Sequence, residues 1–266
     1  MNIMNTLLKK CLAATLMVGG VVSQAAFTQA SAAAPNDGLK GKNVVLVHGA
    51  FADGSGWNKV IPLLEAKGLH VVAVQNSLKS LDDDAAATQR VIEQQNGPVV
   101  LVGHSWGGAV ISQAGNNDKV KALVYVAAFA PDNGQSINDL FKGKPAPAWM
   151  AALQKDSAGY LTLSTDAIMK DFAQDLPPAE ARVVAATQGP WFAGCADDKV
   201  ATAAWHSKPS WYVMAQKDRM IPPPLQAAMA QQIGATVVKV NTSHVAMMSQ
   251  PTEVAAAIIT AARAAK

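Results

Sequence analysis

Residues 99–108 read VVLVGHSWGG. Val99 to Val102 is an unbroken β-branched and aliphatic run, the pattern of a strand buried on both faces. It ends at once in Gly103-His104-Ser105-Trp106-Gly107-Gly108, and from Trp106 to about Ala114 the residues read as a helix. G-x-S-x-G between a strand and a helix places the serine on a sharp, strained turn, its hydroxyl exposed at the carboxyl edge of a sheet. Glycines on both sides remove Cβ atoms that would clash in that turn. Gly108 extends the small surface on which the helix approaches the sheet, and the helix N-terminus adds a positive partial charge beneath the hydroxyl.

Strand and helix signals alternate on both sides of this stretch. NVVLV at 43–47 predicts a buried strand, followed by a glycine-rich loop from Gly49 to Gly56. Residues 57–67 predict a helix stopped by Gly68, and LHVVAV at 69–74 a second strand. Residues 82–96 predict a helix with three acids in its first turn, which complements the helix dipole. VKALVYVA at 120–127 is the fourth strand. The rhythm resumes with a strand at 211–215, a helix at 223–233, a strand at 236–240 and a helix at 251–264. Strands separated by helices require crossover connections, so the fold class is α/β, with a mostly parallel, doubly wound sheet.

Between 132 and 208 no β-branched run appears, only helix-start signals at Ser136, Pro145-Ala146-Pro147, Thr165-Asp166, Pro177-Pro178 and Asp197. That segment is expected to be a helical cap inserted into the sheet domain, whose two parts are then 33–131 and 209–266. Residues 1–32 read as a signal peptide. Lys9 and Lys10 precede the apolar run CLAATLMVGGVV, and Ala30-Ser31-Ala32 fits a cleavage site. The expected location is periplasmic or secreted, with no stable membrane association after cleavage. Cleavage removes two lysines and no acids, lowering the formal charge from +3 to about +1. No basic run survives, which argues against nucleic acid as a partner. One cysteine remains, Cys195. It has no internal disulfide partner and reads as a small buried hydrophobe.

A serine needs a base, and the base an orienting acid. On this kind of scaffold they follow in the order Ser, Asp or Glu, His. Of five histidines, His244 alone combines the right order with the right edge, in a loop after the last strand. His48 reads as structural, tying its loop in place. Asp218, after the strand at 211–215, is the first candidate acid, and Asp132, after the strand at 120–127, is the second. For the oxyanion, one donor is the Trp106 backbone N–H. The other comes from the loop after the first strand, Ala50 first and Phe51 as the fallback.

VLVHGAF, VGHSWGG, the aspartate in AQKDRMIPP and the SHV of NTSHVAMMSQP together resemble the α/β-hydrolase superfamily. The closer likeness is to bacterial esterases related to plant methyl esterases and hydroxynitrile lyases, from about residue 43 to the C-terminus. The resemblance implies Ser105 as nucleophile, His244 as base, Asp218 as acid, Ala50 and Trp106 as oxyanion donors, a cap over the pocket, and no metal or organic cofactor. The lyases of that group carry lysine directly after the histidine and His-Thr in the oxyanion loop. Here those positions read Val245 and His48-Gly49, which disfavours a lyase.

The expected activity is hydrolysis of small, uncharged, fairly apolar carboxylic esters through an acyl-enzyme. The expected partner is a small-molecule ester, and the oligomeric state is left open. The insertion carries Phe141, Trp149, Met150, Met169, Phe172, Trp191, Phe192 and Trp205. A short cap has a thin core, so some of these face the pocket. Phe51, Trp149, Trp191 and Phe192 are the substrate-binding candidates. A non-hydrolytic receptor or carrier on the same scaffold, and lyase, perhydrolase or amidase chemistry at the same site, stand as alternatives.

Overall fold

The computed structural model describes residues 38–265; the signal segment expected over 1–32 lies outside the described residues. The chain enters through β1 (Asn43–Val47), a 3₁₀ turn (Gly54–Trp57), α1 (Ile61–Glu65), β2 (His70–Val74), α2 (Leu81–Glu93), β3 (Val99–His104), α3 (Gly107–Ala114) and β4 (Val120–Val126). The single helix expected over 57–67 is two pieces. The Asp53 carboxylate caps the first at Ser55 N–H, 2.7 Å away, and Pro62, in the first turn of α1, pre-sets the second. Ser80 caps α2 by accepting the Asp83 N–H at 3.0 Å.

The segment after β4 holds the expected short helices. α4 (Ile137–Phe141) opens with a capping box between Ser136 and Asp139, and 3₁₀ residues follow at Ala148–Ala152. Three short strands join them: β5 (Leu153–Lys155), β6 (Tyr160–Leu163) and β7 (Trp191–Phe192), paired antiparallel in that order. They are too short to show an alternation, which is why the sequence pattern did not reveal them. Between β6 and β7 lie α5 (Thr165–Ala167), a π-helical turn (Ile168–Phe172) and α6 (Pro178–Thr187). The main sheet resumes with β8 (Ser210–Ala215), α7 (Pro223–Gln232), β9 (Thr236–Val240), α8 (Ala246–Ser249) and α9 (Pro251–Ala264).

The six long strands run in the order β2-β1-β3-β4-β8-β9, every neighbour parallel. β1, β3, β4 and β8 are buried along nearly their whole length, as strands covered on both faces must be. Parallel register brings the carboxyl ends of the strands to one edge: Val47 lies opposite Gly103, His104 opposite Val126 and Ala215 opposite Val240.

Candidate active site

Ser105 follows β3 directly and has φ of +53°, in the left-handed region, a conformation that costs a serine on the order of 1–3 kcal/mol. The turn is locked by backbone bonds. Ser105 N–H donates to the Val126 carbonyl at 3.3 Å, and its own carbonyl accepts from Gly108 at 2.9 Å and Phe129 at 3.1 Å. The glycines allow chain to touch chain. A Cβ on Gly107 would stand 2.5 Å from the Val47 carbonyl oxygen, and one on Gly49 2.6 Å from Ser105 Cβ. Among the described residues, the Ser105 hydroxyl has no hydrogen-bond partner. It opens into a cavity of about 220 Å³.

His244, 1% exposed, lies in the loop after β9. Its Nδ1–H donates to Asp218 Oδ2 at 2.8 Å. Asp218 is 4% exposed and fully engaged: Oδ1 accepts from Met220 N at 2.7 Å and Ile221 N at 3.0 Å, and Oδ2 also accepts from Gln226 Nε2 at 2.7 Å. Asp132 sits elsewhere, in an exposed pair with His206 at 2.7 Å. His104, the residue before the serine, ties the His244 loop to the turn. Its Nε2–H donates to the His244 carbonyl at 3.1 Å, and the two rings are 4.7 Å apart. Phe172, which lines the cavity beside Ser105, packs edge-on against the His244 ring at 5.1 Å.

His104 and His48 are held neutral. Burial, and then the neighbouring His244, push the His104 imidazole well below its ordinary pKa. Burial likewise lowers that of His48. His48 Nε2 accepts the Asn76 N–H at 2.9 Å, so its Nδ1–H donates to the Gly49 carbonyl at 2.9 Å. The loop after β1 is thereby fastened to the segment that follows β2. In that loop Phe51 has φ of +58°. Among the described residues, neither the Ala50 nor the Trp106 N–H donates to another backbone group.

Ala50, Phe51, Trp106, Trp149 and Trp191 all line the cavity with Ser105, and every lining residue is uncharged. Phe192 does not. Neighbouring residues in a strand point to opposite faces, so Trp191 takes the inner side of β7 while the Phe192 ring packs on Tyr160 at 5.4 Å. Of the other aromatic and methionine residues between 132 and 208, Phe141, Met150 and Phe172 reach the cavity. Trp205 instead stacks on His206 and donates its indole N–H to the Pro131 carbonyl. Cys195 is wholly buried, its thiol pushed up to about 12 by that burial. Among the described residues, no cluster of three or more His, Cys, Asp or Glu is placed to hold a metal ion. The sequence pattern did not reveal the contact of His104 with His244, because it depends on a distant loop folding over it.

Residues 44–257 match the family model of the alpha/beta hydrolases. Methylesterase 2 of Arabidopsis thaliana is 32% identical over 163 residues, 52% of this chain and 62% of that protein. Salicylic acid-binding protein 2 of Nicotiana tabacum is 34% identical over 130 residues, 42% of this chain and 50% of that protein. These matches therefore span only about half to three-fifths of those relatives. Pyrethroid hydrolase of Sphingobium wenxiniae is 26% identical over 244 residues, 81% of this chain and 86% of that protein. Among solved structures, polyneuridine aldehyde esterase shares the fold with a TM-score of 0.72 at 22% identity, over 82% of this chain and 98% of that one. A pyrethroid hydrolase from Sphingobium faniae does so at 0.73 and 24%, over 84% and 98%. With a family match that runs from β1 into the last helix, around a serine on a strand-to-helix turn, the chain belongs to the alpha/beta hydrolase family.

Proposed function

We propose that this protein is a serine carboxylic-ester hydrolase. The observation that carries the reading is the buried His244–Asp218 hydrogen bond, fastened through His104 to the strained turn that presents Ser105 to an apolar cavity. Asp218 fixes the His244 tautomer with Nε2 unprotonated, as a base requires. Ser105 Oγ attacks the ester carbonyl as its proton passes to His244 Nε2. The oxyanion is met by the Ala50 and Trp106 N–H groups, each worth on the order of a hundredfold in rate. Collapse expels the alcohol, which takes the proton from His244 and leaves an acyl-Ser105. Water activated by His244 then releases the acid and restores the serine.

The uncharged, aromatic lining favours small neutral esters over anionic ones. Several relatives carry esterase or pyrethroid hydrolase names, which supports ester hydrolysis. Residues 1–32 act, on this reading, as a signal for export to the periplasm or beyond, and residues 132–208 as a cap on a core formed by 33–131 and 209–266. A fluorophosphonate probe should label the purified protein but not Ser105→Ala. p-Nitrophenyl esters of graded acyl length should be turned over, with a preference set by the cavity. A folded protein that takes no label and turns over no ester would point to a receptor or carrier instead.

A further inference from the structure

Asp84 stands in the first turn of α2, the third of three consecutive acids. Asp82 and Asp83 are exposed, as acids that merely complement a helix dipole would be, but Asp84 is wholly buried. A buried carboxylate is costly unless its oxygens are satisfied. Three donors satisfy it: the Trp106 indole Nε1–H reaches Oδ2 at 2.8 Å, and the Leu78 N–H and the Ser77 hydroxyl reach Oδ1 at 3.0 and 3.1 Å. Among the described residues it pairs with no cation.

Two of those donors lead to walls of the catalytic cavity. Trp106 is one wall, its indole packed 5.5 Å from that of Trp191. Leu78 leads to the other. It is held at φ of +58°, strained for a leucine, and its carbonyl accepts the Phe192 N–H at 2.9 Å. That bond docks β7 and turns Trp191 inward, against Phe51 at 6.0 Å. Oδ2 therefore fixes Trp106 directly, and Oδ1 fixes Trp191 through the Leu78 backbone. A neutral amide cannot serve both anchors, because it has one oxygen and its NH₂ would face a second donor.

We infer that Asp84 is a positioning residue for substrate selectivity: it sets the spacing of the Trp106 and Trp191 walls that grip the apolar part of the ester. It touches no substrate and acts through the two tryptophans. The inference rests on the ester-hydrolase reading and deepens it.

The test compares kcat/KM across p-nitrophenyl esters of graded acyl size for the wild type and Asp84→Asn, with fluorophosphonate labelling as a gauge of the serine itself. Labelling should stay within about threefold of wild type while the best-to-worst ester ratio shrinks about tenfold, the loss expected for one charge-assisted hydrogen bond. In a Trp106→Phe background the amide oxygen is free for Leu78 and Ser77, so adding Asp84→Asn should change the ratio less than about twofold, the non-additivity expected of one linked network. A purely structural role gives equal losses on every ester with the ratio kept, and that result overturns the proposal, as does an unchanged ratio. If Asp84→Asn does not fold, Asp84→Glu keeps the charge and all three donors but displaces them. It should alter the ratio, and an unaltered one overturns the proposal equally. Acrylamide quenching of indole emission reads the wall without turnover. Unchanged quenching in a folded variant counts against Asp84, whereas a wild type that neither labels nor hydrolyses counts against the hydrolase reading.

Discussion

Ser105 and His244 both follow strands at the carboxyl edge of one sheet, yet the two halves of the site are built differently. Among the described residues, the hydrogen bonds of Ser105 itself are all to main chain. β3 pairs on both sides, the Ser105 carbonyl accepts two backbone N–H groups, and glycines let the ends of β1 and β3 touch. His244 and Asp218 ride on loops that are hydrogen-bonded to the 132–208 segment. Trp149 Nε1–H donates to the Met220 carbonyl at 2.9 Å, Gln174 Nε2–H to that of Lys217 at 2.7 Å, and Arg219 Nη1–H to that of Lys170 at 2.6 Å. Asp175 takes the Ser243 N–H at 2.7 Å, next to the base. The Ser105 turn has no room for an added atom at its glycines, whereas the loops depend on particular side chains. The first should fail by losing its fold, the second by losing chemistry in a folded protein.

The sharpest contrast comes from Asp218→Asn. Its oxygen can keep the Met220 and Ile221 N–H bonds while its NH₂ is set against the Gln226 donor, so the fold should survive with a lowered melting midpoint. Its NH₂ then faces the His244 Nδ1 site and selects the wrong tautomer, lowering kcat on the order of 10⁴-fold with KM little changed. Steady-state kinetics beside a melting curve checks both halves. Gly107→Ala should do the reverse. Its Cβ meets the Val47 carbonyl at 2.5 Å and that of His48 at 2.9 Å, and neither backbone can yield without moving β1. About 1–3 kcal/mol or more of stability should go, seen as a lower denaturation midpoint, and activity with it. If Gly107→Ala melts like the wild type and only slows turnover, the turn is looser than its contacts imply.

The same division decides what could be read from the residues alone. The stretch 99–108 was legible because its rule is local: an apolar run, then small residues forced by close approach. His244 and Asp218 were legible through chain order, and the structure joins them by a hydrogen bond while Asp132 lies apart with His206. What escaped depended on distant partners or on elements too short for a period. Phe192 shares its aromatic character with Trp191, but a two-residue strand turns one in and one out. Asp84 looks like its exposed neighbours until Trp106 folds over it. His104 acquires its part only when a loop 140 residues away is in place.

Asp175→Ala probes the hold of the 132–208 segment on the His244 loop, with the smallest effect. Asp175 Oδ2 accepts the Ser243 N–H at 2.7 Å and Oδ1 the Ser249 hydroxyl at 2.8 Å, so one cap side chain spans the loop on both sides of His244. Removing it leaves the buried Ser243 N–H without its acceptor, at a cost of about 1–3 kcal/mol. Asp175 is itself exposed, so water can replace it and the loss should fall at the low end. His244 keeps its bonds to Asp218 and His104. A fall in kcat of about threefold to tenfold, with KM and the acyl-length preference unchanged, is then expected, since one mispositioned interaction is worth about 1 kcal/mol. If kcat is untouched, His104 and Asp218 alone hold the base and the cap is only a wall of the cavity. If kcat collapses as in Asp218→Asn, the loop has no stability of its own, and the cap is as much a part of the catalytic machinery as the sheet.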